Sequence, residues 1–275
     1  MLSFEQELKL RNYSKKTISL YTYFVSKFEQ FVDKPPFEEI TEEDVKEFIL
    51  SLKYSNKNTT NLAYAAVKTY INLIHKKQLK LSLKGPRELK KLPKTLSRIE
   101  VIKLLDSTNN IAHKLLLELM YSSGLRVSEA CSLKYEDINF ENSTIHIKSA
   151  KGNKDRVVIL AKKLRSQLKS YLTLRGVDNG FIFPSGRNPL GHITTRSAQE
   201  ILKTSAKKAG IKKRITPHML RHSFGTHLLE NGTDIRYIQR LLGHKNLETT
   251  AIYTQVADAD IKDIVSPLDK LHLHI

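Results

Sequence analysis

Apolar side chains recur at three- and four-residue intervals along most of the chain. Ile18, Tyr21, Val25, Phe28 and Val32 follow a 3, 4, 3, 4 spacing that predicts one helix with a single apolar face. Ser14 is its expected N-cap, and Pro35-Pro36 ends it. Thr41 with Asp44 opens a second helix to about Leu52, and an alanine-rich third covers 59–75. Tyr21, Phe24, Phe28 and Phe31 share the first stripe, which reads them as core rather than as platforms for stacked bases. The first 80 residues therefore read as an all-helical domain.

Beyond a break at 81–97 the pattern is mixed. Ser97-Arg98-Ile99-Glu100 is a capping box for a helix to about Asp106, and a longer apolar helix runs from Ile111 to Ser122 and stops at Gly124. Alternation from Thr144 to Ser149, a polar turn, and a return over Arg156–Leu160 predict a β-hairpin with Lys151 and Lys154 at its tip. Helices follow over Lys162–Arg175, Thr194–Ala209, Pro217–Glu230, Asp234–Leu242 and Glu248–Val256. The expected fold is mostly α, with a small antiparallel hairpin or sheet in the C-terminal domain. The expected units are a helical domain at 1–80, a linker at 81–97, a larger domain at 98–257 and a tail at 258–275.

Composition narrows the partners. In 275 residues, 46 Lys and Arg face 28 Asp and Glu, a formal charge of +18. Such an excess favours a polyanion, with nucleic acid ahead of an anionic membrane surface. From Lys80 to Arg98 seven basic residues meet one acid, Glu88, with two prolines and a glycine, as in an extended basic linker. The one cysteine, Cys131, excludes an internal disulfide framework and a multi-thiolate zinc site, and reads as a small buried apolar residue. Ten histidines leave a histidine–carboxylate metal site formally open, but Asp258 and Asp260 stand apart from any carboxylate cluster, and no metal is expected. No apolar run is long enough for a membrane span, and Met1–Asn12 lacks the apolar core of a secretory signal, so a cytoplasmic protein without membrane contact is expected.

Two segments carry chemistry. Thr216 caps a helix with Pro217 at its first position, and His218 and Arg221 stand three apart on its first turns, a combination suited to a phosphate. Gly124-Leu125-Arg126-Val127-Ser128-Glu129 puts an arginine just past a helix break, with a carboxylate three residues on that could orient it. Taken singly, Tyr253 would be a packing tyrosine, His218 a cap or surface residue, Lys151 a solvated turn lysine and Arg126 a surface arginine.

Their joint order overrides those single readings. PHMLRHSFGTHLLENGTDIRYIQRLLGHKNLETTAIYTQV at 217–256 resembles the C-terminal signature of the tyrosine recombinase (phage integrase) family, nearest to its Xer-type chromosome-dimer recombinases. GLRVSE at 124–129 and KGNKDR at 151–156 resemble the family's other two boxes in the same order, and the helical first domain more loosely resembles its core-binding domain. The resemblance implies a two-domain, C-shaped clamp on double-stranded DNA and strand exchange without metal, ATP or other cofactor. It makes Tyr253 the nucleophile, Arg126 and Arg221 the clamp on the phosphoryl oxygens, and Lys151 the acid for the 5′ oxygen. His218 would bind the phosphate and assist proton removal, His244 would donate to a phosphoryl oxygen, and Glu129 would be a supporting carboxylate. The product would be a 3′-phosphotyrosine whose ester energy is retained for religation.

Lys84, Arg87, Lys90, Lys91, Lys154, Arg196 and Lys203 are the expected DNA contacts, the last two on the helix expected to read a groove. Arg156 reads as a contact to DNA backbone or to solvent, and His222 and His227 are left without a role. The implied partners are a specific inverted-repeat site, a homotetramer on the synapse, and either a second recombinase or a DNA translocase. The tail would dock on a neighbouring protomer or pack on its own domain. Two alternatives stay open: an integrase or resolvase of a mobile element, and a DNA-binding protein that does not cut. The charge distribution predicts a steep loss of DNA affinity with rising salt, read from binding titrations. A flat salt dependence would remove phosphate contact as its source.

Overall fold

The computed structural model describes residues 3–33, 40–52, 57–78, 94–148, 155–176, 178–186, 191–244 and 248–255. It divides into two compact units, Met1–Leu89 and Lys90–Ile275. The expected DNA contacts Lys84, Arg87, Lys90, Lys91 and Lys154, the expected acid Lys151 and the tail at 258–275 lie outside the described residues.

The first unit has four described helices, α1 (Phe4–Leu10), α2 (Lys15–Val32), α3 (Glu42–Ser51) and α4 (Lys57–Ile74). The Ser14 hydroxyl accepts the Thr17 N–H, and Thr41 and Asp44 form a reciprocal capping box. Phe28, Val45, Phe48, Val67 and Ile71 form one apolar cluster, while Phe4, Leu8, Ile18 and Val25 form a second. Phe24 and Phe28 are buried as the stripe required, but Phe31 remains 42% exposed, tilted against Phe48. Helix α1 was not expected. Seven residues show only one apolar pair, Phe4 and Leu8, although the Ser3–Gln6 capping box was present as a signal.

The second unit begins with α5 (Arg98–Asp106), α6 (Ile111–Ser122) and the short α7 (Val127–Cys131). Strands β1 (Ile138–Asn139), β2 (Thr144–Ile147) and β3 (Arg156–Ile159) form an antiparallel sheet in that order, pairing the buried Ile145 with Val158. The helices α8 (Lys162–Leu174), α9 (Thr195–Lys208), α10 (Pro217–Glu230) and α11 (Ile235–Leu242) follow. The last expected helix is instead the four-residue α12 (Glu248–Ala251), passing into a 3₁₀ turn at Ile252–Gln255. Its density of β-branched residues (Thr249, Thr250, Ile252, Thr254) disfavours a longer α-helix.

Two helices run through the core of this unit. In α6, Leu115, Leu116, Leu117, Leu119 and Met120 are all buried. In α10 burial runs almost without interruption from Met219 to His227 and includes the charged Arg221. Within it the Ser223 hydroxyl donates to the Met219 carbonyl and accepts the Leu96 N–H. Cys131 is buried, which pushes its thiol up to about 11.

The chain leaves α6 through Gly124, at φ +61°, where an added Cβ would lie 2.4 Å from Cδ1 of Phe224. Both the left-handed backbone and the stiff ring demand glycine. Gly124→Ala should therefore cost roughly 2 kcal/mol or more, lowering Tm by about 5 °C or more. Thermal unfolding checks this, and an unchanged Tm would contradict the packing described.

Candidate active site

Four segments meet at one end of α10: the break after α6, the start of β3, the end of α11 and the 3₁₀ turn. Arg126 caps α7 with extended backbone, and both its own N–H (2.7 Å) and its guanidinium (2.8 Å) donate to Glu129. Arg156, at the start of β3, donates two parallel hydrogen bonds to the same carboxylate at 2.9 and 2.7 Å. Its Nε donates to the Leu241 carbonyl at 2.9 Å, tying the hairpin to the last turn of α11. Glu129 thus holds two guanidiniums, one of them in the bidentate geometry that fixes orientation. Burial alone would push its carboxyl up, but the hydrogen bonds from Arg156 and Arg126 outweigh burial and hold it at about 2.

Arg221 enters from α10. Its guanidinium donates to the Gly124 carbonyl at 2.7 Å and to the Leu242 carbonyl. Among the described residues it has no carboxylate partner, although it is only 4% exposed. Burial, then the charges of Arg126 and Arg156, lower it to about 10, so it stays protonated at neutral pH. Three guanidiniums thus face one carboxylate in a largely buried setting. An uncompensated buried cation is costly, and an anion entering here would remove that cost.

Tyr253 lies in the 3₁₀ turn, fully buried beneath α10 among Phe224, Ile238 and Leu242. Gly225 makes room for it, since a Cβ there would sit 2.9 Å from the tyrosine ring. Burial pushes the phenol up to about 12 against the opposing effect of Arg221. Nδ1 of His222 lies 3.1 Å from the hydroxyl, and the His244 ring stacks on the tyrosine ring with centroids 6.3 Å apart. His244 follows Gly243, which ends α11 in the left-handed conformation, and its Nδ1 pairs with Thr250 Oγ1 at 2.9 Å. Burial, then Arg221 and Arg126, lower His244 to about 4, so its imidazole is neutral at neutral pH.

Arg126, Glu129, Arg221, His244 and Tyr253, named from the sequence, therefore converge. His218 is exposed at the start of α10, with its ring 6.3 Å from that of His222. Arg196 and Lys203 are exposed on α9, and Lys203 approaches Glu200 at 3.7 Å. Two participants were missed. Arg156 is largely buried in the Glu129 clasp and is no solvent contact, and His222 meets the tyrosine hydroxyl. The four-residue spacing from His218 to His222 places both on one helical face, a signal legible in the sequence. Among the described residues no three of His, Cys, Asp and Glu cluster as metal ligands.

Comparison with known proteins identifies the family. The phage integrase family matches residues 91–260, and the N-terminal SAM-like domain of phage integrases matches 1–81. The chain belongs to the phage integrase family of tyrosine recombinases. The tyrosine recombinase XerA of Pyrococcus horikoshii is 39% identical over 265 residues, covering 95% of this chain and 90% of that protein. A crystal structure of XerA recombinase matches at 35% identity over 93% of both chains, with a TM-score of 0.56. The XerH site-specific recombinase bound to palindromic difH substrate in a post-cleavage complex matches at 27% identity, over 92% of this chain and 82% of that one, with a TM-score of 0.72. The recombinase is thus close to the Xer type.

The Glu129 clasp predicts a pH signature. Its folded value near 2 lies below the usual 4.5, so its stabilisation is complete above about pH 4.5 and is lost as pH falls toward 2. Glu129→Gln should lower stability by on the order of 3 kcal/mol at neutral pH, a gap that narrows at about pH 3. Urea unfolding at the two pH values checks this, and a pH-independent gap would contradict it.

Proposed function

We propose that this site-specific recombinase cuts and rejoins double-stranded DNA through Tyr253. The observation that carries the reading is the buried excess of guanidinium charge at Arg126, Arg156 and Arg221, set beside an otherwise unexplained buried tyrosine hydroxyl. A scissile phosphate would supply the missing anion, and Arg126 and Arg221 would hold its non-bridging oxygens as charge builds on them. Neutral His244 would donate to a phosphoryl oxygen, and His218, at the exposed start of α10, would bind the phosphate and assist removal of the tyrosine proton. Glu129 would fix the direction of the Arg126 guanidinium. Lys151 would protonate the departing 5′ oxygen.

The Oη–P bond forms as the P–O5′ bond breaks, giving a 3′-phosphotyrosine and a free 5′ hydroxyl. Attack by a 5′ hydroxyl of the partner strand reverses the step, so no energy source is consumed. The domain at 1–80 and the contacts Lys84, Arg87, Lys90 and Lys91 would grip phosphates, with Lys154, and Arg196 and Lys203 on α9, adding contacts. The 39% identity to a XerA recombinase, against 18% to a lambda integrase, supports chromosome dimers as substrate and a short inverted-repeat site as target. A homotetramer on the synapse, a second recombinase or a DNA translocase as partner, and action in the cytoplasm belong to the same reading. No described helix is long and apolar enough to cross a membrane.

A site nicked beside the scissile phosphate traps the covalent complex, because the released fragment diffuses away. Wild-type protein should accumulate that complex and Tyr253→Phe should form none. A complex that survives the substitution would overturn the assignment. Lys151→Ala should slow cleavage by roughly 10²-fold or more, and a 5′-sulfur leaving group, which needs no protonation, should restore most of the rate. Failure of that rescue would remove Lys151 from the acid role.

A further inference from the structure

We infer that Arg156 is a positioning residue for strand cleavage, which holds Arg126 and His244 at one fixed separation without itself meeting the DNA. The inference rests on Arg126 and His244 as the groups that bind the phosphoryl oxygens, the reading given above.

The hydrogen bonds of Arg156 separate it from the arginines that would meet a phosphate. Each of its three guanidinium nitrogens has a protein acceptor: Nε the Leu241 carbonyl, and Nη1 and Nη2 the two oxygens of Glu129. Its side chain is only 10% exposed. Arg126 differs on both counts. Among the described residues only Nη1 of its guanidinium has an acceptor, and 32% of its side chain is exposed. One arginine faces inward with its fork filled, and the other keeps Nε and Nη2 for an incoming anion.

The carboxylate passes the constraint on. Each Glu129 oxygen accepts from both arginines: Oε1 from Nη1 of Arg156 and Nη1 of Arg126, Oε2 from Nη2 of Arg156 and the backbone N–H of Arg126. The two parallel bonds from Arg156 set the plane of the carboxylate, and that plane directs the Arg126 guanidinium. On its other side Arg156 reaches the last turn of α11. Its Nε meets the Leu241 carbonyl there, at the helix end that favours a cation. Gly243 packs so closely on its stem that an added Cβ would lie 2.9 Å from Cδ of Arg156. His244 follows directly, with its N–H bonded to the Gln239 carbonyl of the same helix. Arg156 therefore spans from α7 to α11, and its own backbone is fixed by pairing with Ile147 in the sheet. A lysine in its place would offer one nitrogen instead of three and no plane to impose.

The test follows covalent-complex formation by the full chain on the nicked site in three versions. One has the ordinary scissile phosphate. The second has a methylphosphonate, in which a methyl group replaces one phosphoryl oxygen and removes the negative charge. The third has the 5′-sulfur leaving group. Arg156→Lys should bind the site in gel shifts as the wild type does and react with the phosphate about 10²-fold more slowly. That deficit should largely disappear on the methylphosphonate, which makes less demand on Arg126 and His244, and should persist on the 5′-sulfur site. An equal deficit on phosphate and methylphosphonate, rescue by sulfur, or wild-type cleavage of the phosphate would overturn the inference. Arg156→Gln, which keeps one amide donor for Glu129, is read the same way if the lysine variant does not bind. Failure of both to fold or to bind would make Arg156 a scaffold residue and overturn the inference as well. Arg126→Ala separates the two levels. If its own deficit persists on the methylphosphonate, the phosphate reading fails and takes the role of Arg156 with it. If Arg126→Ala is rescued there and Arg156→Lys is not, only the role of Arg156 falls.

Discussion

A single carboxylate holds the catalytic end of this protein together. Glu129 accepts from the guanidiniums of Arg126 and Arg156, and through Arg156 it is linked to the Leu241 carbonyl at the end of α11. Arg221 donates to the neighbouring Leu242 carbonyl and to Gly124, which lies two residues before Arg126. The break after α6, the hairpin, α10 and α11 are therefore fastened at one point by groups that are all charged or backbone polar. Because, among the described residues, only one carboxylate serves three guanidiniums, the fastening is electrostatically incomplete. The protein folds around a cationic pole that, in the reaction we propose, a phosphate diester would complete.

The second constraint is the burial of Tyr253. A phenol pushed up to about 12 is a poor nucleophile at neutral pH, so in the role we propose its proton would be taken as the bond to phosphorus forms. Helix α10 reaches both features with adjacent residues: Arg221 donates to the carbonyls of the pole and His222 meets the hydroxyl. Gly225, one turn further, admits the tyrosine ring. One nearly fully buried helix thus fixes the guanidinium pole and the tyrosine hydroxyl relative to each other.

Much of this was legible in the sequence because the elements are long and capped. The helices over Ile111–Ser122 and Pro217–Glu230 and the strands flanking 149–154 declare themselves by period and punctuation. The elements missed were short. α1 and α7 span seven and five residues, too few for a helical period, and β1 has two. Site residues were legible where a motif named them. Arg156 was misread because its basic side chain sits beside an exposed turn in sequence, while the structure turns it inward onto a carboxylate 27 residues away. His222 was passed over because its contact is with Tyr253, 31 residues later, folding back against α10. Such long-range pairings follow from packing, which local patterns do not encode.

The account turns on where the DNA becomes attached. Peptide mapping of the trapped protein–DNA complex reads this directly. The account predicts one adduct, on the peptide containing Tyr253, joined to the 3′ phosphate of the cleaved strand. Attachment through another residue, or to a 5′ phosphate, would contradict it.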